Sequence, residues 1–148
     1  MDNIRHGRLI QAVICDDVRR EITGKSILIG VYSEDITVPA LPSTLALHLW
    51  TQIRLENKEE LQLGFRVRGA SGEHLTQEML GPLKPPGDER LANVVFGPIV
   101  FTVHTEGVIK FEWRLANLAW EEAAHLILKK GTVTPDGILV PTRATSGS

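Results

Sequence analysis

Cys15 is the single cysteine of the chain, and a thiolate beside a histidine would make a nucleophile. That chemistry needs a lowered thiol pKa and a base within hydrogen-bond reach. Cys15 instead closes the apolar run Ala12-Val13-Ile14, and no spacing brings His6, His48, His74, His104 or His125 to it. A cysteine so placed reads as a small core residue. The histidines show neither His-x3-His nor Cys-His spacing, so no zinc and no other cofactor is expected. Gly24-Lys25-Ser26 ends like a phosphate-binding loop, but Arg19 stands where that motif has its first glycine. Ile27-Leu28-Ile29 then reads as strand, where the motif requires a helix N-terminus to cradle phosphate. No serine sits in a nucleophile elbow, and no glycine-rich dinucleotide loop follows a strand. The catalytic reading, an enzyme with an unfamiliar site, is therefore the most distant alternative.

Two groups remain. Asp16, Asp17, Glu21 and Asp35 would give an oxygen-rich end able to take Ca²⁺ or a small ligand if six or more oxygens converged. Adjacent aspartates on a strand point apart, however, and no calcium-loop spacing is present. The competing reading has Asp16 or Asp17 capping a turn or pairing with Arg19 or Arg20. His48, Trp50 and Arg54 share the polar face of a well-marked strand, and an aromatic among polar neighbours suits a protein contact or shallow groove. Against this, a loop of the same chain, Pro82–Pro86, could cover them.

The elements that would position these residues are strands. From Leu45 the odd positions read Leu45, Leu47, Leu49, Thr51, Ile53, Leu55, and the even ones Ala46, His48, Trp50, Gln52, Arg54, Glu56. Successive strand side chains face opposite ways, so one face is apolar. Leu61, Leu63, Phe65 and Val67 repeat the pattern, as do Ile109, Phe111, Trp113 and Leu115. The polar Asn57-Lys58-Glu59-Glu60 between the first two predicts a hairpin turn. Leu9–Cys15 and Ser26–Tyr32 read as strands joined by a polar stretch with a tight turn at Thr23-Gly24-Lys25. Ile36-Thr37-Val38 ends at Pro39, and with Pro42 suggests a crossover between sheets. Leu91 to Val103 is the longest nearly uncharged stretch. Gly97-Pro98 breaks it, which predicts two strands or one bent strand and leaves it too short to span a bilayer. Trp120, Ala123, Ala124, Ile127 and Leu128 have helical spacing, whereas Ala124, Leu126 and Leu128 alternate. A strand pairing with Ile109–Leu115 is favoured over a short helix near 119–130.

The expected fold is all-β: a two-sheet antiparallel sandwich, immunoglobulin-like or C2-like, of about eight strands. Residues 8–130 form the domain, residues 1–7 a flexible start, and 131–148 a largely flexible tail with a short strand at Ile138-Leu139-Val140. The 148 residues suffice for one unstapled core. A net charge of −2, with Arg19-Arg20 and Arg66/Arg68 as the densest basic spots and no Arg/Lys stripe at either, argues against nucleic acid as a partner. The polar N-terminus lacks a signal-peptide core, and one cysteine suits a reducing compartment, so the expected location is cytoplasmic, with no membrane partner.

The segment Ala12-Val13-Ile14-Cys15-Asp16-Asp17-Val18-Arg19-Arg20-Glu21, with Gly24-Lys25-Ser26-Ile27-Leu28-Ile29-Gly30-Val31-Tyr32 and Val38-Pro39-Ala40-Leu41-Pro42, resembles the opening of a family of small bacterial proteins, a domain of unknown function. The match is close over the first third of the chain and only a likeness of pattern beyond. The resemblance implies a bacterial or phage origin and shared architecture, and transfers no site residue. The expected role is a non-catalytic module that binds another protein or self-associates through the His48, Trp50, Arg54 face. The alternative is a small-ligand or Ca²⁺-binding sandwich using the acidic end.

Overall fold

A computed structural model describes residues 7–56, 59–84 and 90–142. The chain is a β-sandwich of ten described strands: β1 Gly7–Arg20, β2 Ser26–Tyr32, β3 Asp35–Val38, β4 Ser43–Leu55, β5 Leu61–Arg68, β6 Met79–Leu83, β7 Leu91–Val103, β8 Gly107–Leu115, β9 Glu121–Val133 and β10 Leu139–Pro141. One sheet has the order β2-β1-β4-β7. The other runs β10-β9-β8-β5-β6, with β3 also on β9. β10 overlaps the short strand expected at Ile138-Leu139-Val140, whereas β6 is not evident from the sequence, because its glycine and proline hide the alternation. The described residues contain no helix, and so none that could cross a membrane.

The three alternating runs behave as their periodicity requires. Leu45, Leu47, Leu49, Thr51, Ile53 and Leu55 of β4 are buried, as are Leu63, Phe65 and Val67 of β5 and Ile109, Phe111, Trp113 and Leu115 of β8. Burying one such side chain fully stabilises the fold by roughly 1.5–3 kcal/mol. Phe111 lies near Phe65 and Phe101, with ring centroids at 6.4 and 6.2 Å, so the core spans both sheets.

Three expectations about connections need correction. β4 and β5 are not a hairpin: they lie in different sheets, and the polar link between them (Asn57 and Lys58 fall outside the described residues) crosses the sandwich. A polar loop between two half-apolar strands serves an arch as well as a hairpin, because in both cases each strand turns one face to the core. The stretch from Asp16 to Arg20 is strand rather than connector, paired with β2 through to Arg20↔Ser26. The turn is confined to Glu21–Lys25, where Gly24 has φ +87° and donates its N–H to the Glu21 carbonyl at 2.9 Å. The sheets are not wholly antiparallel either, since β3 runs parallel to β9.

The ambiguous segment at 119–130 is strand. β9 pairs antiparallel with β8 from Gly107↔Leu128 to Trp113↔Glu121, and buries Leu126 and Leu128. The 91–103 stretch is one strand along the whole of β4, with a bulge opposite Leu47–Leu49 that takes up Gly97 and Pro98. β9 continues past 130 to Val133, where β10 pairs with it. Residues 1–6 and 143–148, the outer parts of the expected flexible ends, lie outside the described residues.

Candidate functional site

β4 sits between β1 and β7, so its even-numbered residues lie on the outer face of the four-stranded sheet. His48, Trp50 and Arg54 share that face as expected, but only Arg54 is exposed. Pairing between β1 and β4 stops at Cys15↔His48, although β1 runs on to Arg20. Beyond Cys15 the β1–β2 hairpin leaves the sheet. A recess lined by Val18, Arg20, Gly24 and Ser26 of this arm and by Asn93 and Val95 of β7 places its end against the far neighbour of β4. The arm therefore crosses the outer face of β4. His48 donates its Nδ1–H to the Asp16 carbonyl at 2.9 Å and lies on Gly97, where an added Cβ would be 2.4 Å from His48 Cδ2. Trp50 Nε1 is buried, with no hydrogen-bond partner among the described residues. The arm covers these two side chains; of the loop at Pro82–Pro86 that the sequence offered for this, Pro85 and Pro86 lie outside the described residues.

The acidic residues are not gathered. Asp16 accepts from the Tyr32 hydroxyl at 2.6 Å, Asp17 from its ion-pair partner Arg19 at 3.3 Å, Glu21 from Thr23 at 3.2 Å, and Asp35 from Lys129 at 3.0 Å. Among the described residues no three His, Cys, Asp or Glu side chains converge as a metal site would require. The carboxylates are spent one by one because β1, β3 and the β1–β2 turn carry them to separate partners.

Cys15 is fully buried and is the cross-strand partner of His48. Burial, reinforced by the negative charge of Asp16, pushes its thiol above the ordinary range, which is opposite to what a nucleophile needs. Burial and the Asp16 hydrogen bond raise the Tyr32 phenol to about 12. On the outer face of the other sheet, Arg66 pairs with Glu112 at 2.9 Å, both only 13% exposed. Trp120 lies over Gly64, with the Arg66 and Arg114 guanidinium carbons 4.2 and 4.6 Å from its ring centroid. The basic spot at Arg66/Arg68 is thus internally compensated by Glu112 and Glu78.

The largest unspent feature is one lateral side of the sandwich. There β6 and β7 end their sheets with no further strand paired to them among the described residues. The 13 residues of β7 and the five of β6 include no Asp, Glu, Lys or Arg. Between them opens a recess lined by Leu63, Leu80, Pro82, Leu83, Val94 and Phe96, among others. Met79, Leu80 and Val95 are exposed beside it at 41, 55 and 43%. The absence of charge over 91–103 was visible in the sequence. That this stretch is an edge was not, because edge position depends on which strands fail to pair. No protein-family model matches this chain, and no curated protein matches it.

Proposed function

We propose that this chain is a non-catalytic β-sandwich module that associates with protein through its β6/β7 side. The observation that carries the reading is the coincidence of two uncharged edge strands, unpartnered among the described residues, over an apolar recess. Folded proteins normally blunt such edges with charge or cover them, because free backbone N–H and C=O groups template pairing with another chain. An added strand takes its hydrogen bonds from the edge and sets alternate side chains into the neighbouring pocket. The charged residues lining adjoining recesses, Arg20 and Glu60, fit a solvated rim around an uncharged centre. The carboxylates weighed for a ligand site, Asp16, Asp17, Glu21 and Asp35, each have a side-chain partner, which adds further support.

Placing a photoreactive amino acid at Val95, or at Val31 on β2 as control, tests this. Irradiation is expected to yield a covalent adduct with a polypeptide from Val95 and little from Val31. Equal labelling at both positions, or none at Val95, would sink the reading.

A further inference from the structure

We infer that the occupant of the open side is a second copy of this chain, with β7 paired antiparallel to β7 about a two-fold axis at the Gly97–Pro98 bulge; this rests on the reading above. The bulge divides β7 into two halves whose facing is symmetric. On the inner face lie Ala92, Val94 and Phe96 before it and Ile99, Phe101 and Val103 after it, opposite Ile53, Thr51, Leu49, Leu47, Leu45 and Ser43. Asn93 and Val95 before it, and Val100 and Thr102 after it, lie on the outer face, opposite Gln52, Trp50, Ala46 and Thr44.

A bulge shifts every later side chain to the other face relative to an unbroken strand. An antiparallel partner therefore matches faces along the whole strand only if its own bulge lies directly opposite. With the axis at Gly97–Pro98, Phe96 meets the second copy's Ile99, Val94 meets Phe101, and Ala92 meets Val103. Outside, Val95 meets Val100 and Asn93 meets Thr102. Each inner residue meets an inner one, and each outer residue an outer one. Pro98, which has no N–H to give, falls on the axis, where the ladder is already interrupted. Val95 and Val100, 43 and 58% exposed in the single chain, cover each other.

Such an axis stands perpendicular to the sheet, so the two copies lie side by side and β6 faces β6. Thirteen residues at about 3.3 Å give a side about 43 Å long; at about 15–20 Å wide it would bury ~600–900 Å² per copy, near the ~800 Å² of a standard interface. On the opposite side β2 also ends its sheet, uncharged and with Ile27, Ile29 and Val31 exposed, but it offers an edge of seven residues against the thirteen of β7, and β3 and β10 already occupy the edge of β9. Uncharged meets uncharged without desolvating an ion.

The register gives the test. Sedimentation of the full chain is expected to show twice the 16.4 kDa of one chain. Val95→Cys and Val100→Cys chains, mixed and mildly oxidised, should form a disulfide-linked dimer. Either variant alone should not, because two copies of residue 95 would stand five residues apart, about 17 Å. Buried Cys15 supplies the unreactive background, and circular dichroism checks that both variants fold. A strict monomer, cross-linking as strong in one variant alone, or open-ended oligomers dissolved by Val31→Lys would each overturn the two-fold dimer. A monomer that still yields a Val95 photo-adduct with a different polypeptide overturns only the second copy and leaves the proposed function standing. No adduct at all overturns both.

Discussion

The β9 edge of the sandwich and the side formed by β6 and β7 are finished in opposite ways. On one, the exposed edge of β9 is sealed by the chain itself: β3 pairs with Ile127–Lys130 and β10 with Gly131–Val133, and Lys129 and Asp35 form an ion pair across the join. On the other, β6 and β7 have no further strand paired to them among the described residues, and a recess opens between them. The sealed side draws on segments about a hundred residues apart and places a charge pair in solvent. The open side has no charge, and its bulge sits at mid-strand. That contrast is the basis of the association proposed for the β6/β7 side.

The largest expected effect asks whether the core is complete at the open side. Phe65 is fully buried and stacks on Phe96 of β7 with centroids 4.4 Å apart. Phe65→Ala should lower unfolding free energy by about 3–5 kcal/mol in urea titration. A loss below about 1 kcal/mol would mean that the open side is loosely packed rather than finished.

Next comes a paired comparison of glycines. A Cβ at Gly131 would lie 2.3 Å from the Val140 carbonyl oxygen and 2.4 Å from Thr37 Cγ2, whereas one at Gly81 of β6 meets nothing within 4 Å. Gly131→Val should destabilise by about 1–3 kcal/mol by prising β3 and β10 from β9. Gly81→Val should stay within about 0.5 kcal/mol. Equal melting shifts would erase the contrast between the sides.

The smallest effect concerns the β1–β2 arm, held by the Tyr32–Asp16 hydrogen bond. The phenol, raised from 10.0 to about 12, keeps its proton longer folded than unfolded. Its stabilising contribution is therefore full below pH 10 and lost as pH rises from 10 towards 12. Tyr32 is the only tyrosine, so absorbance at the tyrosinate band follows it directly. Tyr32→Phe should flatten the alkaline fall in stability, and a titration midpoint near 10 would remove the arm's anchor.

Much of the fold was legible because burial on one face of a strand imposes a period of two, as in β4, β5 and β8. The candidate surface was less so. His48 and Trp50 were correctly placed on one outer face, yet the same alternation that placed them there cannot show that residues of the β1–β2 arm bend over them. The carboxylates looked close because they are near in sequence, but strand direction carries Asp16, Glu21 and Asp35 to separate partners.

By itself, the sequence determined the inward faces of the alternating strands, the turn at Gly24 and the uncharged character of residues 91–103, since each follows from local geometry and side-chain chemistry. Only the tertiary structure decided that β4 and β5 belong to opposite sheets, that 121–133 is strand rather than helix, and that β7 is an edge with its bulge at the centre. These depend on hydrogen bonds between segments far apart in the chain. A strand's pattern tells which face it buries; its neighbours, or their absence, are chosen by the whole fold.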